Sequence, residues 1–122
     1  MFNTWEKFHS ATIELAGSGS IKQRLFGAYV NHLASLTEEQ VPKEIREDFC
    51  TFSREMRAVR PLPGEDPVRA TVRKMSADDA NRHAVQIVNM LGVVSRSQMS
   101  SRASDLAPVV QLYADLSAAS RS

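Results

Sequence analysis

The sequence predicts an all-α protein: a single-domain bundle of five to six helices with the second helix central. Three observations carry that expectation. Apolar residues recur at steps of three and four along most of the 122-residue chain. The helical segments open on capping residues or prolines and are separated by glycine, proline or serine clusters. No segment shows the two-residue alternation of a half-buried strand. The length suits one domain with one core. A hydrophobic share of 43% and a charged share of 24% set the chain apart from disordered sequences.

The first helix is capped by Asn3 or Thr4, with Glu6 spaced to complete a capping box on Asn3. Trp5, Phe8, Ala11, Thr12 and Leu15 share its inner side, and "GSGS" closes it. Ser20 caps a second helix, with Gln23 as box partner, that runs to about Leu36. Its apolar arc takes in Ile21, Leu25, Phe26, Ala28, Tyr29, Val30, Leu33 and Leu36, more than half the circumference, and so predicts a central position.

After the acidic turn "LTEEQVP", Pro42 fits the first position of a third helix, where its missing N–H costs nothing. Ile45, Phe49, Phe52, Met56 and Val59 form its apolar seam. Its polar side is sorted by sign. Lys43, Arg46, Arg54, Arg57 and Arg60 make one flank, Glu44, Glu47, Asp48 and Glu55 the next, an arrangement that suits spaced surface ion pairs.

"RPLPGED" reads as a rigid, extended turn, because Pro61 and Pro63 fix their own φ and push the preceding residues out of the helical region. Asp66 then caps a short helix with Pro67 in its first turn and an inward stripe of Val68, Val72 and Met75. Ser76 caps the next helix, whose first turn carries Asp78 and Asp79. Ala80, Ala84, Ile87, Val88, Leu91 and Val94 face the core in this reading. Met90 stands at the edge, and Asn81, Arg82, Val85, Gln86 and Asn89 face outward. The serine-rich residues 95–104 read as a flexible connection or a weakly continued helix, ahead of a last helix from about Asp105 to Ala118 and a frayed tail at 117–122.

The charge balance excludes a global electrostatic partner, since the formal net charge is +1. The single Cys50 can form no internal disulfide and belongs to no zinc framework. The N-terminal stretch, with Glu6 and Glu14, is not expected to be a signal peptide, and no apolar run approaches the roughly 18 residues of a membrane span. A cytoplasmic location with no membrane association is the expectation.

No constellation points to catalysis. His32 sits within the apolar arc of the second helix and His9 borders the apolar side of the first, where a proton-transfer or metal pair competes with ordinary histidines bonded to a carbonyl or to Tyr29. The second alternative is the better supported, because no third ligand is spaced to join them; His83 reads the same way. Cys50 has no base that the sequence places beside it. "AGSGS" precedes a helix as a phosphate loop would, but it lacks the lysine and spacing of one and reads as a flexible turn. No metal, cofactor or enzymatic activity is expected.

The strongest local signal is charge. Arg57, Arg60, Arg69, Arg73 and Lys74 face only Glu65 and Asp66, a local net of +3 that leaves −2 for the rest of the chain. These five cations are the candidate partner-binding residues. Arginine forks pair with carboxylates and are frequent at interface hot spots. The expected function is therefore a protein-interaction or regulatory module that docks an acidic partner surface. Nucleic acid is the alternative partner, held by its phosphates through the same patch. A helix-turn-helix built on "DPVRATVRKM" and "SADDANRHAVQIV" is disfavoured, since Asp78 and Asp79 would stand where phosphates sit. A homodimer, through the seam of the third helix or the C-terminal helix, is as well supported as a monomer.

Overall fold

The computed structural model describes residues 3–105, with residues 100–105 as backbone alone. It contains five α-helices: α1 (Thr4–Leu15), α2 (Ile21–Ala28), α3 (Lys43–Glu55), α4 (Pro67–Lys74) and α5 (Ala77–Asp105), and no strand among the described residues. The all-α bundle is thus the observed fold. α2 packs against α1, α4 and α5, and α5 lies along α1, α2 and α3, so the centre is shared between α2 and α5. The expected last helix and frayed tail lie outside the described residues.

Local chemistry accounts for most of the boundaries. At α2 the Ser20 side chain accepts from the Gln23 N–H, and the Gln23 side chain accepts from the Ser20 N–H, the reciprocal box expected. At α1 the box does not form. Asn3 has ψ of 50° rather than the extended value a cap needs, and its side chain makes no capping bond. Thr4 instead reaches across the fold, its hydroxyl donating to the Gln40 carbonyl at 2.6 Å. Pro42 is extended (ψ 147°), so it stands just before α3 rather than inside it.

α2 does not run to Leu36 as a uniform helix. It passes into a single π turn, Tyr29–Leu33, closed by the Ala34 N–H on the Tyr29 carbonyl at 2.8 Å. Leu25, Ala28, Tyr29, Leu33 and Leu36 are buried, whereas Val30, expected inside, is 39% exposed.

The core joins Phe8, Ala11 and Leu15 of α1 to the buried face of α2, to Ile45, Phe49 and Phe52 of α3 with Met56 just after it, to Val68 and Val72 of α4, and to Ala80, Ile87 and Val94 of α5. α3 supplies its aromatic spine. Phe49 meets Phe8 edge-on at 5.9 Å between ring centroids, and Phe52 meets both Tyr29 and His83 edge-on at 5.7 Å. Each such geometry adds about 0.5–1.5 kcal/mol beyond area burial. The α3 seam is therefore buried within its own chain and is not open to a dimer partner.

Three further expectations are corrected. Val59 does not extend the α3 seam, because the helix ends at Glu55 and Val59 lies in the following loop. Arg57 and Arg60 leave the α3 flank for the same reason. On α5 the inward stripe runs through Ala80, Ala84, Ile87, Met90 and Val94, with His83 beside it, and Val88 falls outside, 47% exposed. Of the two readings of residues 95–104, the chain takes the continued helix, which runs to Asp105.

Candidate functional site

The turn before α4 is built as its composition requires. The Glu65 N–H bonds to the Leu62 carbonyl at 2.9 Å, Pro63 follows Leu62, and Gly64 has φ of +79°. That is a type II turn, with proline and glycine in the two central positions that favour them. Asp66 has the extended geometry of a cap, but its side chain makes no capping bond. Glu65 organises the corner instead. Its Oε1 accepts from the Leu62 N–H at 3.1 Å and from Arg73 Nη2 at 3.0 Å, and its Oε2 accepts from Arg73 Nε at 2.9 Å. The Arg73 fork, seconded by the Leu62 N–H, holds the Glu65 carboxyl down at about 2, and Glu65 in turn pushes Arg73 upward.

Thr71 ties the preceding loop to α4. Its buried hydroxyl donates to the Pro67 carbonyl at 2.8 Å and accepts the Val59 N–H at 3.1 Å. α4 thereby presents a fixed outer face to α2. Across the gap the Arg69 guanidinium lies over the Phe26 ring, 4.6 Å from its centroid, a cation–π contact. Lys22 of α2 donates to the Arg73 carbonyl at 3.0 Å, a cation on the last turn of α4.

These residues enclose a groove of about 340 Å³, lined by Lys22, Gln23, Phe26, Glu65, Arg69, Val72 and Arg73. Three cations thus face one carboxylate over a floor of Phe26 and Val72. Of the five candidate partner-binding residues, the fold brings two, Arg69 and Arg73, into this groove. Arg57 lies toward the other end of α2, its Nη2 donating to the Ala34 carbonyl at 3.4 Å and its guanidinium 5.7 Å from the Tyr29 centroid. Arg60 and Lys74 are exposed outside the groove and make no hydrogen bond or ion pair among the described residues.

The sequence reading missed Lys22 and Phe26. Phe26, part of the apolar arc, does pack against the core while staying partly exposed; an arc as wide as that of α2 exceeds what one helix can bury, and that excess is the available signal. Lys22 carries no local signal, because its role comes from α4, roughly fifty residues away along the chain.

The other candidates resolve into structural roles. His32 Nε2 donates to Glu14 Oε2 at 2.7 Å, bonding neither a carbonyl nor Tyr29. His9 stacks on Trp5 with centroids 4.6 Å apart. His83 is buried, with Nδ1 2.8 Å from Gln86 Oε1. Among the described residues no group of three acidic, histidine or cysteine side chains is placed to hold a metal. The Cys50 thiol donates to Glu38 Oε2 at 3.3 Å, and this carboxylate pushes its pKa up, against thiolate formation. Around "AGSGS", Arg24 donates to the carbonyls of Gly19 and Leu15, and Ser20 already occupies the Gln23 N–H a phosphate would use. On α3 the expected ion pairs are absent among the described residues; Arg46 instead donates to the carbonyls of Glu38 and Val41. No helix of the described residues is long and apolar enough to cross a membrane. Comparison with protein-family models, with curated proteins and with solved structures finds no match.

Proposed function

We propose that this chain is a non-enzymatic, cytoplasmic protein-interaction or regulatory module that docks an acidic segment of a protein partner in the groove between α2 and α4. One observation carries the reading: Lys22, Arg69 and Arg73 converge on an open groove whose floor is Phe26 and Val72. A partner carboxylate entering there exchanges water for charge-assisted hydrogen bonds, while an apolar neighbour packs on the floor. Because Glu65 already engages the Arg73 fork, Arg69 and Lys22 are the cations that meet the partner first. Arg60 and Lys74 serve at the rim, where exposed charge raises the association rate more than the affinity. The proline-stiffened turn and the Glu65 bonds hold the groove in one shape, which lowers the ordering cost of docking.

Recovery of bound protein from the native host tests this, with nuclease present and with Lys22→Ala and Arg69→Ala combined. Neither side chain is buried, so the double change should leave the fold intact. A partner with an acidic segment that survives nuclease and is lost with the double change supports the reading. Nucleic acid bound in its place, with every co-purifying protein released by nuclease, overturns it in favour of phosphate binding through Arg60, Lys74 and the groove cations.

A further inference from the structure

On the outer face of α5 two valines stand exposed among the described residues, where Val88 was expected in the core and Val85 on a face open to solvent or to a modest contact. Val85 is 50% exposed and Val88 47%. They belong to a longer stripe: Asp78, Asn81, Val85, Val88 and Gly92 follow one another at alternating steps of three and four, and the stripe stops short of Ser95, whose hydroxyl already accepts the Trp5 indole N–H of α1 at 2.8 Å. That is a heptad seam, the spacing by which one straight helix meets another along its length. It is separate from the stripe of Ala80, Ala84, Ile87, Met90 and Val94 that α5 buries in its own core. Arg96 lies on the same side, its Nη1 folded back to 3.6 Å from where a β-carbon on Gly92 would stand.

We propose that this face pairs with a second copy of the chain, α5 against α5 and antiparallel, about a two-fold axis near residue 87. Charge selects both the occupant and the direction. The seam is acidic at Asp78 and basic at Arg96, so a parallel pair sets like charge on like at both ends. An antiparallel pair sets each Asp78 against the partner's Arg96, twice, as an isologous contact requires. In that register Val85 meets the partner's Val88, and Asn81 faces the partner's Gly92, over which Arg96 folds. From Asp78 to Arg96 the seam is about 27 Å long, enough for a continuous contact.

Sedimentation equilibrium of the full chain tests the pairing. The wild type should show a concentration-dependent dimer. Val85→Glu combined with Val88→Glu should raise its dissociation constant roughly 100-fold or more, because the interface would bury unpaired carboxylates. Asp78→Arg alone should weaken the dimer, and Asp78→Arg with Arg96→Asp should restore it. A wild type that stays monomeric, a dimer that the valine changes leave intact, or a charge swap that restores nothing overturns the proposal. A monomer whose melting temperature falls with the valine changes overturns it too, and assigns the face to the chain's own residues beyond 105.

Discussion

The Glu14 carboxylate occupies the space where a β-carbon on Gly27 would be. The missing side chain lets α1 lay that carboxylate on α2, just before the π turn, where Asn31 Nδ2 donates to its Oε1 at 2.9 Å and His32 Nε2 to its Oε2 at 2.7 Å. One acidic side chain thus bonds two consecutive residues of the π turn. Alanine for glycine inside a helix ordinarily stabilises by about 0.5–1 kcal/mol. Here Gly27→Ala should give no gain, or a loss, because it displaces Glu14 from both donors. With Glu14→Ala already in place, the same change should recover the ordinary gain. Denaturant unfolding of the four proteins in that cycle should give a coupling of about 1 kcal/mol; equal effects of Gly27→Ala in both backgrounds would show that the carboxylate does not sit there.

Core and surface on the helices should separate cleanly. Leu25 and Phe52 are essentially inaccessible. Leu25→Ala should cost about 2–5 kcal/mol and Phe52→Ala about 3–5. Val88→Ala, measured below the concentration at which the chain self-associates, should stay within about 0.5 kcal/mol. A thermal or urea melt that reversed this order would displace the core described above.

Glu65 makes the corner of the groove pH-dependent. Its folded value of about 2 lies below the ordinary 4.5, so its contribution is fully present above 4.5 and is lost as pH falls through about 2. Glu65→Gln should therefore lower the melting temperature at neutral pH, and the gap to wild type should close between pH 4.5 and pH 2. The carboxyl resonance of Glu65 should titrate near the lower value, with the shift reduced by salt because the Arg73 side of the pair is open to solvent. A midpoint close to 4.5 at low salt would remove the Arg73 fork as its cause.

The features legible in the sequence were those fixed by neighbours along the chain. The Ser20–Gln23 box, the Pro63-Gly64 turn and the Ile45, Phe49, Phe52, Met56 seam each depend on residues within one or two helical turns. What escaped depends on distant partners. Thr4 spends its hydroxyl on Gln40 rather than on capping. The π turn is bonded through Glu14, a residue of α1. Val88 is outside because α1 and α3 take the other side of α5, a choice no wheel of α5 alone can reveal. At the candidate site, Arg69 and Arg73 were visible as cations one turn apart, but Lys22 and Phe26 join them only through the packing of α2 on α4.

The proposed function turns on an acidic peptide entering the α2–α4 groove. Its most direct test is an amide NMR titration of the full chain with a synthetic Asp/Glu-rich peptide bearing one aromatic residue, at physiological salt, set beside a single-stranded oligonucleotide. Saturable shifts are expected at Lys22, Phe26, Arg69 and Val72 with the peptide, abolished by Lys22→Glu with Arg69→Glu. Shifts that avoid the groove, or a groove that answers the oligonucleotide and not the peptide, would contradict it.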